Sequence, residues 1–115
     1  MKISIVTVCR NAAATIGPTL DSVAGQTWAD REFIVIDGAS TDGTKDILEG
    51  RRGLISHLVS EPDRGLYNAM NKALKLVSGD AVVFLNADDT FASKSVLEGA
   101  AAELAAHPEA GLVYG

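Results

Sequence analysis

A strand that runs directly into acidic residues constrains this chain more than any other feature. Residues 82–85 are all apolar (Val-Val-Phe-Leu), which is typical of a central strand buried on both faces of a sheet. Asn-Ala-Asp-Asp follows at residues 86–89 and is named here the acidic motif. Neighbouring carboxylates at a strand end repel each other unless a positive charge lies between them. The pattern therefore predicts either a Mg²⁺ or Mn²⁺ site suited to phosphate oxygens, or a solvated turn that caps the next helix.

The composition indicates one globular domain. The chain has 115 residues, of which 47% are hydrophobic and 22% are charged, so it can bury a core and is not expected to be disordered. Its net charge of −5, with only Arg51-Arg52 as a basic pair, argues against a nucleic acid partner. The single cysteine, Cys9, excludes an internal disulfide and fits a reduced, cytoplasmic setting, where a small buried residue is favoured over a catalytic thiol. We expect neither a signal peptide nor a membrane-spanning helix.

Hydrophobic periodicity alternates between strand and helix along the whole chain. Strands are predicted at residues 3–9, 32–36, 54–60 and 82–85, and a fifth is expected to begin at 111–115. Helices are predicted at residues 16–25, after residue 44, at 66–77 and at 94–106. This alternation predicts an α/β fold with a mostly parallel sheet and helices on both faces. The half-made fifth strand suggests the first part of a longer domain.

Polar residues follow each predicted strand. The carboxyl ends of parallel strands share one edge of the sheet, where ligands bind in open α/β folds. We therefore expect Arg10 and Asn11, Asp37, Arg64 and the acidic motif to converge there. Asp37 can accept a hydrogen bond from a base or a ribose, whereas helix capping is favoured for Asp42. Arg64 is either a phosphate ligand or a solvated loop charge.

Five segments, in this order and spacing, resemble the family 2 glycosyltransferases of the GT-A fold. They are residues 5–11, 34–44, 69–73, 78–80 and 84–89. Residues 60–71 are similar to the branch that acts in exopolysaccharide and colanic-acid-type synthesis.

The resemblance implies transfer of a sugar from a nucleotide-diphosphate donor to a saccharide or lipid-linked acceptor, usually with inversion, as part of polysaccharide biosynthesis. The Asp-x-Asp motif of the family, which holds Mn²⁺ or Mg²⁺, reads Asn86-Ala87-Asp88 in this chain. The implied metal ligands are therefore Asp88 and, in compensation for Asn86, Asp89. The implied substrate-binding residues are Val8, Arg10, Asn11, Asp37, Arg64, Asn86 and Ala87.

Two positions depart from the family pattern. Gly38 replaces the second acid of the family's Asp-Asp-Gly-Ser loop, so any role of that acid is lost. Arg10 stands where an aromatic residue usually precedes Asn11, and a guanidinium can also stack on a base.

The resemblance also implies the extent and the setting of the domain. Residues 1–115 are expected to be the nucleotide-sugar-binding part of a truncated domain, with the acceptor-binding part absent and the general base beyond residue 115. The expected location is cytoplasmic, at the inner face of the membrane if it is peripheral. An exposed sheet edge beside Leu112 and Val113 predicts self-association.

Other classes fit less well. A non-catalytic nucleotide-sugar-binding module would use the same pocket and is the main alternative. A receiver domain needs acids after strand one, where this chain has Cys9, Arg10 and Asn11. Sugar nucleotidyltransferases and dinucleotide or P-loop proteins need glycine-rich loops that this chain lacks.

Overall fold

The computed structural model describes residues 1–62 and 64–106, and strands alternate with helices throughout. The elements are β1 (Ile3–Cys9), α1 (Ile16–Ala24), β2 (Arg31–Asp37), α2 (Thr44–Glu49), β3 (His57–Ser60), α3 (Leu66–Leu74), β4 (Ala81–Phe84) and α4 (Val96–Ala106). The predicted α/β fold is confirmed. The predicted fifth strand and the edge expected to self-associate lie outside the described residues.

The four strands form one parallel sheet in the order β3-β2-β1-β4. The strand before the acidic motif was expected to be central, which stays a prediction because the predicted fifth strand lies outside the residues that the structure describes. Within the described residues, β1 is flanked on both sides, and β4 lies at an edge, where only Val83 is fully shielded. A uniformly apolar sequence reports helices covering both faces of a strand, but it does not report how many strands flank it.

Side chains of the central strands alternate between two cores, as the two-residue repeat of a strand requires. Ile3 and Ile5 pack with α1, α2 and α4 in the larger core, which includes Leu20, Leu48 and Leu97. Val6, Ile34 and Ile36 pack with Ala69 and Ala73 of α3 in the smaller core. The expected placement of helices on both faces is therefore confirmed.

Two elements are shorter than predicted. β3 begins at His57 because residues 51–54 form turns, in which Leu54 N–H donates to the Arg51 carbonyl. α3 ends at Leu74, which is 49% exposed, although its spacing had placed it on the apolar face. Ala73 already occupies the position against the sheet, and the next residue is rotated by about 100°. No helix in the described ranges is long and apolar enough to cross a bilayer.

The Ser78-Gly79-Asp80 turn ties β4 to the amino-terminal edge of the sheet, opposite the acidic motif. The buried Glu32 carboxylate accepts hydrogen bonds from Ser4 Oγ (2.6 Å), Ser78 N (2.6 Å) and Ser78 Oγ (2.8 Å). Lys2 Nζ lies 3.4 Å from it. This part of the family resemblance therefore has a structural role in this chain.

Glu32 should make stability depend on acid pH. Burial raises its pKa, but the hydrogen bonds from Ser4 and Ser78 and the charge of Lys2 outweigh that effect and lower it from 4.5 to about 2. Because the folded pKa is the lower one, this stabilisation is complete above about pH 4.5 and is lost as the pH falls toward 2, with a maximum of about 3 kcal/mol. We expect Glu32→Gln to lower the free energy of unfolding at pH 7, and the difference from wild type to shrink toward pH 2. Urea titrations at several pH values measure this, with the exposed Glu49→Gln as control; a difference that does not change with pH would contradict the assignment.

Gly79 should not tolerate a side chain. A Cβ there would lie 2.5 Å from Ser4 Oγ and 2.8 Å from the Lys2 carbonyl oxygen. We expect Gly79→Ala to lower the free energy of unfolding by about 1–3 kcal/mol through overpacking. Gly99→Ala is the control, because Gly99 lies inside α4 with nothing within 4 Å of an added Cβ. That control should gain up to about 1 kcal/mol from helix propensity. Equal effects of the two substitutions in denaturant unfolding would refute the prediction.

Candidate functional site

The carboxyl ends of the strands meet at one edge, as predicted. Cys9 pairs with Asp37, and Asp37 pairs with Ser60, so these three residues form a row across β1, β2 and β3. On the other side of β1, Phe84 pairs with Val6, which brings the acidic motif alongside the end of β1.

A cleft of about 440 Å³ lies between the loop after β1 and the acidic motif. Most of the predicted site residues line it, namely Val8, Arg10, Asn11, Asn86, Ala87 and Asp88. Cys9, Ala12 and Thr15 complete the lining. Of the four groups of residues expected to converge, the cleft therefore contains two, namely the loop after β1 and the acidic motif.

Thr15 is a lining residue that was not among the predicted site residues; as the residue before α1, it is in the sequence only a candidate helix cap. It precedes α1 but makes no side-chain cap, and its hydroxyl lies 3.4 Å from the Ala12 carbonyl oxygen. Its position at the start of the helix that follows the first strand was the available signal, since that end of the helix reaches the ligand edge in α/β folds.

The oxygen donors in the cleft fit a divalent cation that is shared with a ligand. Asp88 supplies a carboxylate and Asn86 an amide oxygen, and both residues are exposed. Within residues 1–62 and 64–106, no group of three or more acidic, histidine or cysteine residues is placed to hold a metal. Mg²⁺ is commonly bound by one or two carboxylates together with substrate phosphates. The donor set therefore suits a cation completed by a diphosphate and not a preformed protein cage.

Asp89 does not share the cleft with Asp88. It lines a separate cavity of about 610 Å³ beside α4, together with Phe91 and Glu103 among others. This cavity is the larger of the two, but the predicted binding residues do not meet there.

Asp37 is fully buried, and its carboxylate is occupied by protein donors. Oδ1 accepts hydrogen bonds from Ser40 Oγ and from Cys9 Sγ, the latter at 3.6 Å. Oδ2 accepts from Ser40 N at 3.1 Å and from Ser60 Oγ at 2.8 Å. A carboxylate has about four acceptor positions, so these donors use all of them. A nucleobase could reach Asp37 only by replacing one of the four.

Cys9 is held as a neutral thiol. Burial, followed by the nearby charge of Asp37 and the hydrogen bond to it, raises the thiol pKa to about 12. A thiol needs a lowered pKa to act as a nucleophile at neutral pH. The interpretation of Cys9 as a small buried residue is therefore the one that the structure favours.

The loop of residues 37–44 binds the backbone of the loop after β1. The N–H groups of Asn11, Ala12 and Ala13 donate to Ser40 Oγ (2.7 Å), Thr44 Oγ1 (2.8 Å) and Asp42 Oδ2 (3.1 Å), respectively. In the reverse direction, Thr41 N donates to Asn11 Oδ1 at 2.8 Å. Four hydrogen bonds thus fix one wall of the cleft to the loop after β2.

The side chains of Asn11 and Asp42 therefore have structural roles. Asn11 has a positive φ of 51°, a conformation that asparagine tolerates better than most residues. Asp42 Oδ1 accepts from Thr44 N at 3.1 Å, but Asp42 lies one residue before the N-cap of α2, Gly43, so it supports the start of the helix without being the predicted cap. The hydrogen bond from the Thr44 hydroxyl is the main cause that lowers the pKa of Asp42.

Arg64 is exposed and does not line the cleft. Its backbone N–H donates to Asn68 Oδ1 at 3.0 Å, at the start of α3. The structure thus brings Arg10, Asn11 and Asp88 together, and it leaves Asp37, Arg64 and Asp89 outside the cleft.

Comparison with known proteins identifies the family to which this chain belongs. The family "Glycosyl transferase family 2" matches residues 4–115. A "PGL/p-HBAD biosynthesis glycosyltransferase" of Mycobacterium bovis (strain BCG / Pasteur 1173P2) is 40% identical over 118 residues, which cover 97% of this chain and 45% of that protein. The "UDP-Glc:alpha-D-GlcNAc-diphosphoundecaprenol beta-1,3-glucosyltransferase WfgD" of Escherichia coli is 39% identical over 88 residues, which cover 76% of this chain and 35% of that protein. The chain thus spans less than half the length of these relatives.

Solved structures show the same fold. S. aureus TarS 1–349 in complex with UDP-GlcNAc has a TM-score of 0.84 at 31% identity, over 94% of this chain and 32% of that one. The mannosyltransferase PcManGT from Pyrobaculum calidifontis, in complex with GDP-Man and Mn²⁺, has a TM-score of 0.82 at 32% identity, over 90% of this chain and 32% of that one. The sheet of this chain is therefore that of the GT-A glycosyltransferases, and the chain belongs to glycosyl transferase family 2.

Proposed function

We propose that residues 1–115 form the donor-binding part of an enzyme that moves a sugar from a nucleoside-diphosphate sugar to a saccharide or lipid-linked acceptor. The observation that carries the proposal is the cleft in which Arg10 and Asn11 of the loop after β1 face Asn86 and Asp88. In this family, a cleft at the carboxyl edge of a parallel sheet is where a donor is expected. We further propose inversion at the anomeric carbon and a role in polysaccharide biosynthesis of the exopolysaccharide type.

The charges in the cleft suit a leaving nucleoside diphosphate. Negative charge grows on the diphosphate as the glycosidic bond breaks, and a fixed positive group stabilises it. Arg10 is a permanent cation in the same cleft, and Asp88 would hold Mn²⁺ or Mg²⁺, with Asn86 beside it. When bound, the cation supplies Lewis-acid stabilisation of the leaving diphosphate.

The ligands of the relatives support a nucleoside-diphosphate sugar as donor, and they include both uridine and guanosine nucleotides. WfgD is named for UDP-Glc, TarS was solved with UDP-GlcNAc, and PcManGT was solved with GDP-Man and Mn²⁺. We therefore propose a uridine or guanosine diphosphate sugar as donor. The acceptor of WfgD is a diphosphoundecaprenol-linked sugar, which supports a lipid-linked acceptor and a place at the cytoplasmic face of the membrane.

Three of the proposed site residues need a change on donor binding. Asp37 would have to exchange one internal donor for the base, and Arg64 would have to turn toward the diphosphate. Asp89, whose side chain lines the other cavity, is proposed only as an accessory acid to Asp88. Their roles stay predictions, as does self-association of the chain.

Asp88→Ala should abolish the metal-dependent part of nucleotide affinity. We expect wild type to bind UDP or GDP more tightly with Mn²⁺ than without it, because Asp88 would hold a cation that offsets the charge of the diphosphate. In the variant the affinities with and without Mn²⁺ should coincide, as measured by isothermal titration calorimetry.

The control is Asp21→Ala, which removes an exposed acid that pairs with Arg51 and does not line the cleft. It should leave the response to Mn²⁺ intact. An unchanged response in Asp88→Ala would remove Asp88 from the metal site. Tight nucleotide binding without any sugar transfer in a donor and acceptor panel, measured with the full-length protein, would favour the non-catalytic binding module instead.

A further inference from the structure

A polar stripe along α1 and just past its end holds the segment that carries the acidic motif. The stripe consists of Thr19 and Ser22, which are three positions apart on α1, and of Gln26, which lies two residues beyond the last residue of the helix. We infer that Thr19 is a positioning residue for Asp88, and that α1 sets the geometry of the proposed cation site. The expected effect on cation binding rests on the proposed function. The contacts of Thr19 are observed independently of it.

Thr19 lies under the acidic motif and contacts the residues on both sides of Asp88. It is fully buried, and its Oγ1 lies 2.6 Å from the Asp89 carbonyl oxygen and 3.1 Å from the Ala87 carbonyl oxygen. A hydroxyl has one proton, so the shorter contact carries most of the hydrogen bond and the longer one shares it. The carbonyl groups of the residues before and after Asp88 are therefore held at one point.

The rest of the stripe binds the segment that follows. Phe91 N donates to Ser22 Oγ at 3.2 Å. Gln26 is 6% exposed and uses both ends of its amide: Nε2 donates to the Ser93 carbonyl at 2.7 Å, and Oε1 accepts from Leu97 N at 3.1 Å. A buried amide with both ends paired fixes its partners strongly, because breaking either contact leaves a buried polar group without a partner.

The same helix also controls the opposite wall of the cleft. α1 begins directly after Thr15, which lines the cleft, and Ile16 N donates to the Ala12 carbonyl at 2.8 Å. One rigid element therefore sets the separation between the loop after β1 and Asp88. A site completed by a diphosphate depends on that separation, since the ligand must reach both walls at once.

The test compares two buried threonines. Thr19→Val removes the hydroxyl that contacts the motif, and Thr19→Ser keeps it. Thr7→Val is the matched control, because Thr7 is fully buried in β1 and its Oγ1 has no partner among the described residues. Removing an unpaired hydroxyl is expected to be neutral or stabilising.

The measured quantity is the gain in affinity for UDP or GDP that Mn²⁺ produces, by titration calorimetry. We expect Thr19→Val to reduce that gain about 10–100-fold, as is typical for residues that orient metal ligands. Thr19→Ser should restore most of it, and nucleotide affinity without Mn²⁺ should change little. A purely structural role would lower both affinities together, and that result would overturn the inference.

A second readout separates this inference from the proposed function. Amide hydrogen exchange of residues 87–93 should be faster in Thr19→Val than in wild type, with the exchange of β1 and β2 unchanged, and should be normal in Thr7→Val. If wild type binds neither UDP nor GDP, the proposed function fails, and unchanged exchange at 87–93 would refute the positioning role on its own. If Thr19→Val does not fold, Ser22→Ala removes the contact to Phe91 N and serves in both measurements.

Discussion

The parallel pairing of β1 with both β2 and β4 is the constraint on which the rest of the structure depends. β1 pairs with β2 from Ile3 to Cys9, and with β4 from Ile3 to Val6. Because these strands run in one direction, every loop that follows a strand reaches the same edge of the sheet. The opposite edge holds only structural contacts, such as those of Glu32 with Ser4 and Ser78. The candidate binding cleft and the contacts of Glu32 thus lie at opposite ends of the strands.

At the ligand edge, many polar side chains are used within the protein. A loop that leaves a strand end exposes backbone N–H groups that need partners. The side chains of Ser40, Asp42 and Thr44 supply those partners for the loop after β1. Asp37 fixes Ser40 in turn, and Ala39 between them takes a positive φ of 59°. The polar side chains of the loop after β2 therefore shape the cleft, while Arg10 and Asp88 line it.

The sequence predicted local features well and relative positions less well. The bounds of β1 were predicted correctly, because its apolar run ends at a charged residue. The central position expected of the strand before the acidic motif stays a prediction, since strand order depends on pairing between distant segments and the predicted fifth strand lies outside the described residues. Asp37 was placed at the correct edge, but its four partners come from three separate segments, and no local pattern reports them. The contacts of Thr19 and Gln26 with the segment after β4 could not be predicted for the same reason: polar residues on a helix or just after it are ordinarily solvated, and only the fold buries these two.

The environment of Cys9 makes its thiol a natural probe of local opening at the end of β1. It is the only cysteine in the sequence, it is 5% exposed, and its thiol pKa is about 12. At pH 8 roughly one thiol in ten thousand is ionised in the folded chain, whereas an unfolded cysteine with a pKa near 8.5 is substantially ionised. Alkylating reagents should therefore modify the protein only through states in which β1 separates from Asp37. The rate of labelling then measures how often Cys9, at the end of β1, leaves its contact with Asp37, without any engineered probe.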